Sequence, residues 1–163
     1  MKLYIKQKVF ALTEDFTVTD ESGQIVYRVS GSFMRIPKKF EIYDTSNNLV
    51  CEIEKELFRM FSHFNIRTST HDLVVKKNFS WFNHSISIVG SNWRLEGNIL
   101  NRDFRIVSGS HPILSFSKAF FSFQDSYELN IANENDAVLC LAIDIVIDRL
   151  IAESSSANSS VHT

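Results

Sequence analysis

The chain has 163 residues, of which 44% are hydrophobic and 14 are phenylalanine. That is enough apolar material for one domain with a dry core, so a disordered chain is not expected. The net charge of −2 gives no general attraction to nucleic acid, and no nucleic-acid partner is expected. Cys51 and Cys140 lie in separate apolar runs, which favours two buried thiols in a reducing compartment over a disulfide.

The first eight residues contain no uninterrupted apolar stretch and no small-residue cleavage site. They are therefore not typical of a secretory signal, and a cytoplasmic location is expected.

An internal repeat runs through most of the chain. In each of five copies an aromatic or aliphatic residue is followed two places later by Val or Ile, and nine places later by Ile or Leu. The copies begin at Phe16, Phe40, Phe64, Ile86 and Phe104. Apolar residues that alternate in this way line one face of a strand, and turn-forming residues separate the second and ninth positions. Each copy therefore predicts a β-hairpin, and the hairpins must share a sheet because one hairpin cannot bury its apolar face alone.

The repeat is interrupted after Asp136 by an apolar segment without glycine or proline, which predicts a helix with Asp136 as its N-cap. Between residues 137 and 152 the only charged residues are Asp144, Asp148 and Arg149, so the segment is apolar on nearly every side. A membrane span takes about 20 apolar residues and disfavours carboxylates. We therefore predict a buried helix at about 136–152 and a protein that is not transmembrane.

The predicted fold class is mainly β with one helix. Five hairpins and two further strands, at 3–10 and 126–131, give about twelve antiparallel strands, and a sheet of that size tends to close. The apolar helix then fills the lumen. The barrel domain is expected to cover residues 1–153, and the small polar residues 154–163 are expected to form a disordered tail.

Several separated motifs resemble the LURP-one-related family. They are residues 5–8 (IKQK), 16–23 (FTVTDESG), 118–127 (KAFFSFQDSY) and 142–148 (AIDIVID), and the similarity covers residues 1–153. That family belongs to the tubby C-terminal-like superfamily, which includes the phospholipid scramblases. The resemblance implies a twelve-stranded barrel around a hydrophobic C-terminal helix, and membrane contact in the superfamily favours phospholipid binding. The proline-rich region and cysteine cluster of scramblases are absent, and the phosphoinositide-binding lysines of tubby proteins have no matching motif.

Asp144 and Asp148 are candidate buried carboxylates, since a spacing of four residues puts them on one face of the predicted helix. Such a pair is suited to binding a cation or holding a proton. The structural interpretation is that both lie towards a barrel mouth, paired with Arg149 or a lysine, or bonded to backbone amides.

Catalytic and metal-binding motifs are missing from the sequence. The five histidines lack metal-ligand spacing, no Gly-x-Ser-x-Gly elbow occurs, and the five glycines form no phosphate-cradling loop. No catalytic residue, cofactor or metal site is therefore predicted, and an enzyme is not expected.

Three segments combine lysine with aromatic residues, at 55–61, 76–82 and 118–123. This pattern fits a lipid headgroup layer or stacking on single-stranded nucleic acid, and it also fits rings that close the barrel beside solvated lysines. The candidate contact surface for a membrane or partner comprises Lys76, Lys77, Trp81, Lys118 and Phe121.

The leading hypothesis is a non-enzymatic cytoplasmic binding or scaffold module that contacts anionic phospholipid at the inner membrane surface. One alternative is a small-ligand carrier or hydrolase with a pocket at a barrel mouth near Asp144 or Asp148. Another is a regulatory protein–protein interaction module, which would present a large exposed aromatic patch.

Overall fold

The structure is a computed structural model in which residues 1–6, 15–32, 36–78, 85–119 and 126–159 are described. Twelve strands form a single antiparallel sheet that curls into a nearly closed barrel, which confirms the predicted fold class. The strands are β1 (Lys2–Lys6), β2 (Asp15–Thr19), β3 (Ile25–Ser32), β4 (Lys39–Tyr43), β5 (Leu49–Lys55), β6 (His63–Arg67), β7 (Asp72–Lys77), β8 (Ile86–Val89), β9 (Trp93–Asn98), β10 (Asp103–Ser108), β11 (His111–Ala119) and β12 (Ser126–Ile131).

Each strand pairs with the strand that follows it, except at one seam. The first and last strands also pair, with Leu3 opposite Leu129 and Ile5 opposite Tyr127, so the two ends of the sheet meet. The strand order begins at β8 and ends at β9, which places the seam between these two strands. Up-and-down connectivity therefore sends successive connections to opposite ends of the barrel.

The first two positions of the repeat predict correctly which residues face the interior. Its first two positions are buried in all five copies, with exposed fractions of 8% or less. The ninth positions are less uniform: Leu73 is buried, whereas Ile25 and Leu49 are 46% and 50% exposed. Ile25 and Leu49 are the first residues of their strands, where the return strand has not yet reached the core.

A helix, α1 (Ala137–Ser159), passes through the lumen. It begins one residue after the predicted N-cap, and a short 3-10 turn at Glu134–Asp136 precedes it. The side chain that caps this turn is that of Asn133, which accepts a hydrogen bond from the Asn135 amide at 3.1 Å. The helix also continues past the predicted end at residue 152, so residues 153–159 are helical; residues 160–163 of the predicted tail lie outside the described part of the chain.

The core consists of the inner faces of the strands packed around the helix. From Ala137 to Leu150 nearly every helix side chain is buried, and those of Leu141 and Ile143 are fully so. Burying one such side chain contributes about 1.5–3 kcal/mol, so the helix is held by packing rather than by its β-branched sequence. Cys51 and Cys140 are free and buried, as expected from the sequence.

Candidate functional site

The two ends of the barrel are built from different connections. The described residues 36–38, 56–62, 78, 85 and 99–102 follow odd-numbered strands, and we call this side the loop end. Residues 20–24, 44–48, 68–71, 90–92, 109–110 and 132–136 follow even-numbered strands, and we call that side the turn end. The helix starts at the turn end and its C-terminal half points to the loop end.

The loop end carries the most exposed large apolar side chains of the described residues. Ile36, Phe58 and Met60 are 83%, 101% and 91% exposed, and Leu57 and Leu100 at the same end are 42% and 46% exposed. The exposed apolar residues near the turn end, in contrast, keep about half of their surface covered. Phe58 has a backbone φ of 59°, a left-handed conformation that is uncommon for a bulky side chain. Nothing in the described fold covers its ring.

The connections at the two ends also differ in charge. The described turn-end connections contain five acidic residues and no lysine or arginine, a formal charge of −5. The acidic residues are Asp20, Glu21, Asp44, Glu134 and Asp136. The described loop-end connections contain Lys38, Arg59 and Arg102 against Glu56, a formal charge of 3 − 1 = +2. The helix dipole favours the same distribution of charge, because acidic groups stabilise a helix N-terminus and cations stabilise its C-terminus.

Inside the loop end, lysines converge on the helix from three neighbouring parts of the barrel wall. The Lys55 ammonium lies 2.6 Å from Glu153 Oε1, and that of Lys38 lies 3.9 Å from the same oxygen. The Ser62 hydroxyl donates to Glu153 Oε2 at 2.6 Å, while Lys77 donates to Ser154 Oγ at 3.1 Å. Lys55 and Lys77 reach the helix because they continue the inward-facing rows of β5 and β7.

The Glu153 carboxylate is held in its ionised form by this cluster. Burial alone would raise the pKa of Glu153, but hydrogen bonds from Lys55 and Ser62 outweigh burial and keep the pKa below its usual range. One turn earlier along the helix, the Arg149 guanidinium lies 5.5 Å from the centre of the Phe40 ring. Among the described residues, cationic side chains therefore surround Glu153 at this mouth of the barrel.

Asp148 is buried against Arg102, with only 3% of its surface exposed. Arg102 comes from the connection between β9 and β10, where its φ of 53° turns the chain. Its guanidinium lies 4.5 Å from the centre of the Tyr127 ring and 5.8 Å from that of Phe116. The aromatic walls and the Asp148 carboxylate together fix the arginine across this side of the lumen.

Asp144 lies one turn deeper and is 1% exposed. Among the described residues no hydrogen-bond partner reaches its Oδ2 atom. Burial raises the pKa of Asp144 to about 7, and the Arg102 charge opposes part of that rise. The carboxyl group is therefore suited to holding a proton, one of the two roles predicted for it.

The structure brings only some of the predicted site residues together. Asp144 and Asp148 lie on one face of α1, and Lys77 joins the same end through Ser154. Lys76 alternates with Lys77 and points outwards from β7. Lys118 lies in β11 opposite Tyr127, with its side chain outside the described part, and Trp81 and Phe121 also lie outside it.

Sequence reasoning did not select several residues that form this end. Lys38, Lys55 and Glu153 are far apart in the chain and meet only when the barrel forms. Phe58 and Met60 belong to the lysine–aromatic segment 55–61, which the sequence analysis identifies. The sequence pattern does not show that these two side chains are the exposed members of the segment.

The described residues contain neither a metal-binding cluster nor a membrane-spanning helix. Within them, no group of three or more His, Cys, Asp and Glu side chains converges as a metal site would require. No helix in the described part is both long and apolar enough to cross a membrane.

By its fold, the protein is an antiparallel β-barrel of twelve strands wrapped around its own C-terminal helix. The sequence profile of the LURP-one-related family matches residues 1–148, and the chain belongs to that family. It is 29% identical to the uncharacterised protein YxjI of Bacillus subtilis over 152 residues, which covers 93% of this chain and 94% of the other. The X-ray structure of an Arabidopsis thaliana protein has the same fold, with a TM-score of 0.63 and 14% identity over 91% of this chain and 90% of that one.

Proposed function

We propose that the protein is a binding module that contacts an anionic phospholipid surface through the loop end of its barrel. The observation that carries the proposal is the position of Ile36, Phe58 and Met60, which are exposed on the end with a basic rim. Apolar side chains flanked by cations fit the interface of an anionic membrane, where rings and aliphatic chains insert and lysines meet headgroups.

The difference in charge between the two ends would orient the protein on the membrane. A basic residue close to an anionic membrane surface contributes about 1 kcal/mol, and the effect falls off within a Debye length. Lys38 and Arg59 would be attracted, whereas the acidic turn end would be repelled and would face away from the lipid. Anionic lipid is concentrated on the cytoplasmic leaflet, which supports a cytoplasmic protein peripheral to the inner membrane surface.

The alternatives receive less support from the same residues. The helix occupies the lumen and Arg102 covers Asp148, which disfavours a ligand pocket that reaches the two carboxylates. An exposed apolar patch also suits a protein partner, but the cationic rim favours a lipid surface.

Co-sedimentation with vesicles tests the proposal. We expect the wild-type protein to bind phosphatidylcholine vesicles that contain phosphatidylserine, and to bind pure phosphatidylcholine vesicles much more weakly. Replacing both Phe58 and Met60 by serine should weaken binding to the anionic vesicles by roughly tenfold, because the apolar insertion is lost.

The matched control is the double serine variant of Ile25 and Leu49, which removes exposed apolar surface near the turn end. It should bind like the wild type. Absence of wild-type binding at low salt would exclude the lipid surface, and equal losses in the two variants would exclude the loop end as the contact region.

A further inference from the structure

The Glu153 carboxylate lies where several cations meet. Among the described residues, the Lys55 and Lys38 ammonium groups lie 2.6 and 3.9 Å from Glu153 Oε1, and Lys77 donates to the adjacent Ser154, so these four charged groups together carry 3 − 1 = +2. Lys55 and Ser62 donate to its two oxygens, one to each. Three lysines held at one mouth repel one another, and a single carboxylate compensates only part of that repulsion.

We propose that this mouth is a phosphate-binding site in which the Glu153 carboxylate is a built-in occupant that phosphate must displace. The inference rests on the proposed function, because it assigns the headgroup chemistry recognised at the loop end. Lys38, Lys55, Lys77 and Ser62 are the residues that hold the phosphate group.

The donor set fits a phosphate group better than a carboxylate. A phosphate monoester carries a charge of about −1.5 to −2 and three acceptor oxygens, whereas a carboxylate carries −1 and two oxygens. Two donors already satisfy Glu153 closely, and Lys77 is directed to the neutral hydroxyl of Ser154 instead. A third oxygen gives Lys77 a charged partner that it otherwise lacks in this set of contacts.

The position of Glu153 on the helix allows it to leave. The last core residue of the helix is Leu150, and residues 151–154 are only partly buried or exposed. Side chains beyond the core hold a helix end weakly, so opening of this turn disturbs little of the barrel. Glu153 therefore acts as an internal competitor for the anion, and removing its charge strengthens phosphate binding.

The first experiment compares the wild type with Glu153→Gln on phosphatidylcholine vesicles that contain phosphatidic acid. The glutamine retains an acceptor for Ser62 but not the charge, so we expect binding to become roughly fivefold tighter. Glu21→Gln at the turn end changes the net charge by the same amount and should alter binding by less than about twofold. Adding Lys55→Gln to the Glu153 variant should remove the gain.

The second experiment uses inorganic phosphate and distinguishes free phosphate from a lipid headgroup. At matched ionic strength, phosphate should raise the melting midpoint of Glu153→Gln more than chloride does, and more than it raises that of the wild type. A phosphate-specific rise without vesicle binding supports the site and assigns it to free phosphate, while it overturns the proposed membrane contact.

Vesicle binding that is equal in Glu153→Gln and Glu21→Gln overturns the phosphate site and leaves the membrane contact standing. Absence of both responses overturns both.

Discussion

The two ends of this barrel satisfy their polar groups in different ways. At the turn end the connections bond mostly to themselves: Asp20 Oδ1 accepts from the amides of Ser22 and Gln24 at 2.8 and 3.0 Å, within one five-residue turn. At the loop end the polar groups reach across the fold, as Lys55 does to Glu153, 98 residues further along the chain.

The helix has the same asymmetry along its length. Its first seven residues, from Ala137 to Ile143, contain no charge, whereas Asp144, Asp148, Arg149 and Glu153 all lie in the part that points to the loop end. Buried charge seldom improves on apolar packing, so it adds little to stability that leucine or isoleucine would not supply. The uncharged first part of the helix therefore serves the packing of the core. The loop end, in contrast, carries buried charged groups that packing of the core does not require.

Breaking the Arg102–Asp148 pair should have the largest effect on stability. Arg102→Met leaves the Asp148 carboxylate buried without its counter-charge, and the free energy of unfolding should fall by about 3–5 kcal/mol. Urea unfolding followed by circular dichroism measures the loss. Arg102→Met combined with Asp148→Leu should recover most of it, because no unpaired charge remains.

Arg105 provides the comparison on the outer wall. It pairs with Glu96 at 3.0 Å, but the two side chains are 63% and 31% exposed. Arg105→Met should cost no more than about 1 kcal/mol. If the two arginine variants were equally stable, the Arg102 pair would not be the buried interaction inferred for the loop end.

The second prediction concerns the pH dependence that Asp144 introduces. Its pKa is about 7 in the folded protein, whereas an unfolded aspartate has a pKa of about 3.9. The folded state therefore holds the proton more tightly, and the stability present below about pH 4 is lost as the pH rises to about 7. Asp144→Asn removes this loss and should be more stable than the wild type by roughly 2–4 kcal/mol near pH 8, with a small difference near pH 4.

Urea midpoints measured across this pH range test the prediction. Asp72→Asn, at an exposed strand start near the turn end, removes one carboxylate in the same way and is the matched control. A profile for Asp144→Asn that runs parallel to the wild-type profile would contradict a proton held at the buried carboxyl.

The contrast between the two ends also explains which features of the structure the sequence predicts. The repeat positions and the strand at residues 126–131 follow from local alternation, which burial on one face enforces. The Ser-rich composition after residue 153 predicts a tail, whereas the structure continues the helix to Ser159, because no glycine or proline interrupts it. A local sequence pattern is therefore sufficient to predict the structure wherever the residues that interact are also close together in the sequence.

The loop end required the three-dimensional structure. Its cation cluster combines residues 38, 55, 62, 77 and 153, which come together only through strand register and barrel closure. Phe58 shows a second obstacle, since phenylalanine is usually buried, whereas this ring is fully exposed on a residue with a left-handed backbone. Asp144 and Asp148 were identified because a helix periodicity relates them, but Arg102 lies outside that pattern.

The smallest effects are expected at the turn end, where two copies of the repeat have equivalent turns. Asp44 Oδ1 accepts from the amides of Ser46 and Asn48 at 2.9 and 2.8 Å, as Asp20 does 24 residues earlier. The equivalent residues Gly23 and Asn47 have φ values of 80° and 64°. Because glycine and asparagine both tolerate this conformation, Gly23→Asn and Asn47→Gly should each change the free energy of unfolding by less than about 0.5 kcal/mol.

Alanine at either position should cost about 1 kcal/mol, because its Cβ is strained at positive φ and it lacks the local hydrogen bonds of asparagine. Thermal unfolding of the four single variants measures both differences. None should alter vesicle binding, since these turns lie at the opposite end from the exposed apolar residues. A loss of vesicle binding in any of the four would contradict the separation of the self-contained turn end from the contact surface proposed at the loop end.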